Sequence, residues 1–208
     1  MSGAFADIIG HGSVVAFLER DAGLPAQAYL FVGPSNVGKA AVARRFAAML
    51  MCQDDDACSL RVLSGSHPDL VVVEPEGRAS ITVDQARHTV SQASLAPLVG
   101  MRKVFLFEEG GSMNDEAANA LLKTLEEPTA STTFLIVSEA EDDLPETVAS
   151  RCRTVVFGRV PEDEIAAGLA ATGIDASQAE QAARISGGRP GLAVALATEP
   201  DVAAFRHA

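Results

Sequence analysis

The stretch GPSNVGKA, Gly33 to Ala40, decides how this chain folds. The apolar run AYLFV before it predicts a strand, and AAVARRFAAMLM after it has the spacing and propensity of a helix. The glycines let the backbone turn so that successive N–H groups and the start of the helix point at one anion. The spacing G-x-x-x-x-G-K predicts a phosphate-binding loop whose lysine reaches the outer phosphates of a nucleotide. Its members are Gly33, Pro34, Ser35, Asn36, Val37, Gly38, Lys39 and Ala40.

The metal side of this predicted site departs from the usual pattern. The residue after the lysine is normally a serine or threonine that binds Mg²⁺, but this chain has Ala40. KVFLFEEGG predicts a strand followed by Glu108 and Glu109, at the sheet edge where ligands bind in parallel sheets. The first carboxylate, usually an aspartate, helps to hold Mg²⁺, and the second polarises the attacking water. We therefore expect a weak or absent Mg²⁺ site, with Glu109 of the usual catalytic type.

Composition limits the classes of function. The chain has 208 residues, of which 48% are hydrophobic, so it can bury a substantial core. Its net charge of -12 disfavours wide contact with nucleic acid by this chain alone. No secretory signal pattern and no apolar run of transmembrane length is visible, which predicts a cytoplasmic protein.

The three cysteines, Cys52, Cys58 and Cys152, fit a reduced chain better than a disulfide scaffold. Cys52 and Cys58 lie close to His67 in sequence, as the remnant of a metal site would. A structural zinc ion needs four ligands, normally in C-x2-C pairs, and neither a pair nor a fourth soft ligand is present. We expect no zinc.

Strand and helix patterns alternate along the rest of the first part. A helix is predicted from Gly12 to Gly23, either as a plain core helix or as a surface for an adenine. DDDACS predicts a solvated turn, Asp69 to Glu74 a strand, and Thr82 with Gln85 the capping box of a helix. Further strands are predicted at 133–137 and 154–157. Ser138 follows the first of these, as a γ-phosphate contact or as an ordinary strand-ending serine.

From Arg159 onwards the composition shifts toward alanine. Three short helices are predicted, the first with Pro161 near its start and the second with Ser177 and Glu180 as a capping box. Arg189, in GGRPG, is a lone arginine beside glycines, which by itself is typical of a solvated side chain. The final DVAAFRHA resembles the beginning of another helix, so we expect a piece of a longer chain.

Several longer segments occur in an order found in one family. They are GPSNVGK, HPDLVVVEPEG, ITVDQAR, GMRKVFLFEEGGSMNDEAANALLKTLEEP and FLIVSEAEDDLPETVASRC. With them the chain resembles the delta-prime family of bacterial DNA polymerase III clamp-loader subunits, which are AAA+ proteins. The resemblance implies an α/β fold: a phosphate-loop αβα sandwich with a five-stranded parallel sheet over residues 1–158, then a small three-helix lid over 159–208. The family's helical collar domain would be absent.

The resemblance also assigns roles to single residues. Arg151, in SRC, would act in trans as an arginine finger in the ATP site of a neighbouring subunit. Ser138 would be the γ-phosphate sensor and Arg189 the lid contact, while Glu108 alters the first member of the family's Asp-Glu pair. Only Cys52 and Cys58 match the family's four-cysteine zinc module, which again argues against zinc.

The resemblance implies a stationary subunit that helps to load the sliding clamp on primed DNA. Its partners would be the ATPase subunits and delta, and through them the clamp and the primer-template. It would bind ATP or ADP and hydrolyse ATP weakly or not at all, and it would belong to the polymerase assembly without being a polymerase. The alternatives are an autonomous AAA+ ATPase, as a clamp-loader motor or a branch-migration helicase, and a phosphate-loop kinase of small molecules.

Overall fold

The computed structural model describes residues 3–53, 55–75, 80–127 and 129–198. A five-stranded sheet with the order β2-β3-β4-β1-β5 forms the centre, and all of its strand pairs are parallel. Its strands are β1 Ala28–Val32, β2 Leu70–Val73, β3 Lys103–Phe107, β4 Thr132–Ser138 and β5 Arg153–Val156. The predicted first strand is matched at both ends, and the others within one residue.

In the described part of the chain, one or two α-helices connect each pair of successive strands, one α-helix precedes β1, and three α-helices follow β5. They are α1 Gly12–Asp21, α2 Lys39–Cys52, α3 Asp56–Leu63, α4 Val83–Ala93, α5 Asp115–Glu126, α6 Glu146–Ala149, α7 Glu162–Ala171, α8 Ala176–Ser186 and α9 Pro190–Thr198. The predicted capping box of α4 is present, because the Gln85 N–H donates to Thr82 Oγ1 and the Thr82 N–H donates to Gln85 Oε1. No helix among the described residues is long and apolar enough to cross a membrane.

Two hydrophobic layers cover the sheet. Alternate residues of β1 point to opposite sides, so that Tyr29 and Phe31 join the layer under α1, α2 and α3. Leu30 and Val32 join the layer under α4, α5 and α6. The buried members of a third apolar group come from Val160 and from α7, α8 and α9, and the partly buried Ile9 packs against them. The parallel strands are thus buried on both faces, as their continuous apolar sequences require.

Three local expectations were wrong. DDDACS is not a simple turn, because the Asp55 carboxylate accepts the Cys58 N–H and caps α3. Cys52 and Cys58 are not both free thiols, because they form a disulfide that joins the end of α2 to α3. Helix α8 is capped by Asp175 rather than by Ser177, whose N–H and hydroxyl both donate to the Asp175 carboxylate.

Some expectations fall on residues outside the described ranges. The predicted helical start in DVAAFRHA lies wholly within residues 199–208. The first carboxylate of the DDD run, at position 54, is also outside the description.

Candidate functional site

The phosphate-type loop joins β1 to α2 at the carboxyl edge of the sheet. Gly33 has φ 149°, and a Cβ there would lie 2.3 Å from the Phe157 carbonyl oxygen. Gly38 has φ 104° and stands at the N-terminus of α2. Gly33 therefore requires glycine because of both its limited space and its positive φ, whereas Gly38 requires glycine because of its positive φ alone. The loop has the shape that the sequence predicts.

Lys39 is the first residue of α2 and only 6% exposed. Its Nζ donates to the carbonyl oxygens of Gly33 and Pro34, at 2.6 Å and 2.7 Å. Burial lowers the pKa of the Lys39 ammonium, and the carboxylates of Glu139 and Asp143 act in the opposite direction. The ammonium is thus held by the loop itself, with two acidic side chains nearby.

Glu108 lies directly after β3 and is engaged by an arginine that sequence reasoning missed. Arg44 Nε donates to Glu108 Oε1 at 2.5 Å, and the two side chains are 26% and 20% exposed. The Arg44 guanidinium therefore pairs with the carboxylate of Glu108, the position at which a metal-binding aspartate is usual. One signal pointed to it, because Arg44 is four residues after Ala40 and so lies on the same face of α2.

Ser138 lies at the carboxyl end of β4, directly beside the loop, because it pairs in register with Val32. Its hydroxyl donates to Asp143 Oδ2 at 2.6 Å. This hydrogen bond, with the N–H of Ala140, holds the pKa of the Asp143 carboxyl below its usual range. Asp143 was also missed, although a carboxylate capping the turn after a strand-ending serine is a local pattern.

An open cleft of about 730 Å³ brings these groups together. That volume is within the range of small-molecule sites. Helix α9 reaches it at Gly191, whose N–H donates to the Asn36 carbonyl at 2.9 Å. The predicted site residues that line it are Ser35, Asn36, Gly38, Lys39, Ala40, Glu108, Glu109 and Ser138.

Arg189 is not among the lining residues of this cleft. Its Nε donates to the Ser186 carbonyl at 2.8 Å, which turns the side chain toward the end of α8. Val37 is buried, and its carbonyl accepts a hydrogen bond from His11 Nε2 at 2.7 Å. The His11 ring also contacts Phe157 edge-on, so the segment before α1 supports the loop. His11 had not been singled out from the sequence.

Arg151 lies outside the cleft, after the short helix α6. Its Nη1 donates to the Thr147 carbonyl at 2.6 Å, and its Nη2 is paired with the Glu126 carboxylate. The arginine side chain is 34% exposed and that of Glu126 48%, so both reach the surface. The adjacent Cys152 is half-buried, and burial raises the pKa of its thiol to about 12. Arg151 is therefore partly exposed, paired with Glu126, and not among the residues that line the cleft.

A second cluster lies away from the cleft, where α2 meets α3. The Cys52 and Cys58 sulfurs and a ring nitrogen of His67 lie within 4.8 Å of one another, and all three residues are buried. His67 Nδ1 accepts the Asp69 N–H at 3.1 Å, so in the neutral ring the proton is on Nε2. A nitrogen that carries a proton cannot bind a metal, and both sulfurs are used in the disulfide. In this arrangement the cluster does not fit zinc.

The sequence comparisons assign the family. The model described as DNA polymerase III, delta subunit matches residues 15–161 of this chain. The chain belongs to that family. It is 43% identical over 137 residues to subunit delta' of DNA polymerase III from Pseudomonas aeruginosa, an alignment that covers 61% of this chain and 42% of that protein.

Two further relatives are another delta' subunit and a tau subunit of DNA polymerase III. Subunit delta' of Escherichia coli is 32% identical over 186 residues, covering 84% of this chain and 55% of that protein. Subunit tau of Salmonella typhimurium is 34% identical over 159 residues, covering 71% of this chain and 24% of that protein. The chain thus spans between 24% and 55% of the lengths of these three relatives.

Solved structures confirm the predicted fold. A Thermotoga maritima RuvB variant has a TM-score of 0.64 at 17% identity, covering 97% of this chain and 65% of that one. A DNA polymerase III gamma subunit-related protein from the same organism has a TM-score of 0.55 at 20% identity, covering 83% and 57%. The chain has the AAA+ α/β fold, and at these identities the likeness extends to the fold alone.

Proposed function

We propose that this chain is the nucleotide-site and lid part of a delta-prime-like subunit of the DNA polymerase III clamp loader. It helps to load the sliding clamp on primed DNA, as a stationary subunit that donates Arg151 to a neighbour's ATP site. Its partners are the ATPase subunits and delta, and through them the clamp and primer-template DNA. Residues 1–158 form the core and 159–208 the lid, a division supported by the separate apolar cluster of α7, α8 and α9.

The Arg44–Glu108 ion pair is the observation that supports a stationary subunit, one that hydrolyses ATP weakly or not at all. A nucleotide-bound Mg²⁺ needs oxygen ligands, and the protein supplies few of them in phosphate-transfer sites. Here Ala40 offers no oxygen from its side chain, and Glu108 is paired with a cation of the protein itself. ATP or ADP would bind through the N–H groups of the loop and Lys39, without a well-held Mg²⁺. Hydrolysis in this cleft is therefore weak or absent, although Glu109 is still present.

Arg151 needs no metal in its own chain for its role. An arginine at a neighbouring site stabilises the charge that develops on the transferred phosphoryl group. Its exposure and its separation from the cleft of its own chain support this use in trans. One subunit can thus lose ATP hydrolysis in its own cleft and still be required for hydrolysis in the ATP site of the neighbouring subunit.

A clamp-loader motor subunit is the second candidate, favoured by the similarity to subunit tau. A motor needs a metal site, and two of the groups that would supply one are altered. The two candidates differ in the nucleotide chemistry of the isolated chain, which can be measured.

The test compares nucleotide binding and ATP turnover in three proteins. They are the native chain, the Lys39→Ala control, and a variant carrying Ala40→Thr, Glu108→Asp and Arg44→Leu. A fluorescent ATP analogue is titrated with Mg²⁺ and with EDTA, and phosphate release is followed in parallel.

We expect the native chain to bind the analogue equally with Mg²⁺ and with EDTA, and to release no more phosphate than the Lys39→Ala control. The restored variant should bind at least about tenfold more tightly with Mg²⁺, because a divalent ion then links the protein to the phosphates. Turnover by the native chain that Lys39→Ala abolishes would favour the motor.

A further inference from the structure

The cluster of Cys52, Cys58 and His67 contains an unsatisfied polar atom. His67 is 2% exposed, and its Nε2 has no hydrogen-bond partner among the described residues. Because Nδ1 accepts the Asp69 N–H, Nε2 carries the proton of the neutral ring and is a buried donor without an acceptor. Burial lowers the pKa of the His67 ring, which favours this neutral form. Such a donor is costly unless another state of the protein supplies an acceptor.

The neighbouring sulfurs can become that acceptor. In the disulfide, a sulfur atom is a weak acceptor, and neither one is bonded to His67. A thiolate carries a full negative charge, and hydrogen bonds to charged groups are roughly twice as strong as neutral ones. Because a ring nitrogen of His67 and both sulfurs lie within 4.8 Å of one another, reduction of the disulfide would place an anionic acceptor close to the imidazole ring.

We propose that Cys52, Cys58 and His67 form a reversible thiol–disulfide exchange site, in which the Nε2–H of His67 stabilises the thiolate released on reduction. The co-reactants are dithiols in one direction and disulfides in the other. This site is separate from the nucleotide cleft and does not depend on the function proposed for it.

The reaction balances as ordinary exchange. A thiolate of the reductant attacks one sulfur of the Cys52–Cys58 bond, and the electron pair of that bond leaves on the other sulfur, which becomes the thiolate beside His67. The second thiol of the reductant then attacks the mixed disulfide and forms the disulfide of the reductant. The monothiolate form of the reductant thus gives the chain two electrons and one proton, so the chain ends with one thiol and one thiolate, and the thiolate is the group that His67 stabilises.

The disulfide also joins two helices. It links the last residue of α2 to α3, which has only eight residues. A helix of that length is not stable without tertiary contacts, so loss of the bond should loosen α3 against α2. Because both sulfurs are buried in the disulfide form, exchange requires local opening of this same helix.

The test sets the ratio of reduced to oxidised dithiothreitol and measures the Cys52–Cys58 state by thiol labelling and mass spectrometry. His67→Asn is the informative variant, since its side-chain oxygen can accept the Asp69 N–H in place of Nδ1 while the Nε2 donor is removed. His88→Asn is the matched control, because His88 is an exposed histidine on α4.

We expect a reversible transition in the native chain. In the His67→Asn variant, the ratio of reduced to oxidised dithiothreitol at which half of the disulfide is reduced should be about tenfold higher, because the thiolate is no longer stabilised. The His88→Asn control should match the native chain within about twofold. If His67→Asn is unfolded, proton NMR of the native chain replaces it: the Nε2 proton should move downfield on reduction, and amide exchange in α3 should accelerate.

Three results would overturn the proposal. Cys52 and Cys58 that label as free thiols at every ratio would show that no disulfide forms. Equal midpoints in all three proteins, or an Nε2 proton that does not shift on reduction, would exclude the role of His67. One zinc ion retained per reduced chain after dialysis would mark a metal site instead.

Discussion

Replacement of Asp69 by asparagine should strongly destabilise the fold. The Asp69 side chain is completely buried at the start of β2. Its carboxylate accepts three backbone N–H groups, from Leu98 at 2.6 Å and from Val99 and Gly100 at 2.8 Å each. These bonds hold a surface loop against the sheet although two of its side chains, Leu98 and Val99, are largely exposed.

The size of the effect can be worked out from this geometry. A hydrogen bond to a charged group contributes about 1.5–3 kcal/mol, and an asparagine keeps one acceptor oxygen in place of two. At least one N–H group loses its partner and meets an amide NH₂ instead. We expect the free energy of unfolding to fall by about 3 kcal/mol, roughly a hundredfold in the folding equilibrium constant.

Urea unfolding measures this change, with the midpoint and the slope fitted separately. Asp175→Asn is the matched control, because Asp175 also accepts backbone N–H groups but is exposed, and asparagine caps helices as well as aspartate does. The control should unfold close to the native midpoint. A loss of less than about 1 kcal/mol in Asp69→Asn would refute the assignment of this carboxylate as the anchor of the loop.

The same carboxylate sets a pH dependence. Burial raises the pKa of Asp69, but the N–H groups of Gly100, Leu98 and Val99 together lower it by more, so the folded pKa lies below the usual value. The unfolded chain therefore binds the proton more readily. The contribution of Asp69 is complete above the unfolded pKa of about 3.9 and is lost as the pH falls through the folded pKa. Stability of Asp69→Asn should depend less on pH in that acidic range, and an equal dependence would contradict the account.

Two further changes test the elements that shape the site. Gly33→Ala should destabilise the chain by about 3 kcal/mol or more, because a Cβ would lie 2.3 Å from the Phe157 carbonyl oxygen. Gly12→Ala, where a Cβ meets nothing within 4 Å, is its control in thermal unfolding, and equal melting temperatures would be inconsistent with the loop geometry. Thr82→Ala removes one half of the α4 capping box and should cost about 1 kcal/mol in urea unfolding. An unchanged midpoint would mean that the box does not stabilise α4.

Sequence reasoning was most successful where one local pattern sets the structure. The strand Ala28–Val32 is buried on both faces, so its apolar run has no competing interpretation. The phosphate-type loop is predictable from glycines that the backbone requires, and the start of α4 from Thr82 and Gln85.

Contacts between distant segments could not be predicted in this way. Arg44 and Glu108 are 64 residues apart, and their pairing depends on how α2 lies against β3. The Cys52–Cys58 disulfide depends on the turn between α2 and α3, where the run of aspartates favoured a solvated turn instead. In that run, Asp55 is a helix cap, and an aspartate that caps a helix differs from one in a turn only because helical residues come after it.

The central claim is that Arg151 acts in the ATP site of a neighbouring subunit. The direct measurement is steady-state ATP hydrolysis by the assembled clamp loader, with only the neighbouring subunit retaining a working phosphate loop. Arg151→Ala is compared with Arg87→Ala, a control on α4 whose side chain is 70% exposed and pairs with Asp84 at the surface.

We predict that Arg151→Ala lowers kcat at that site by at least about a hundredfold, since arginine fingers contribute roughly 10³ to 10⁵ in rate. KM should change little, and Arg87→Ala should match the native complex. Unchanged turnover in an assembly that contains Arg151→Ala would contradict the account.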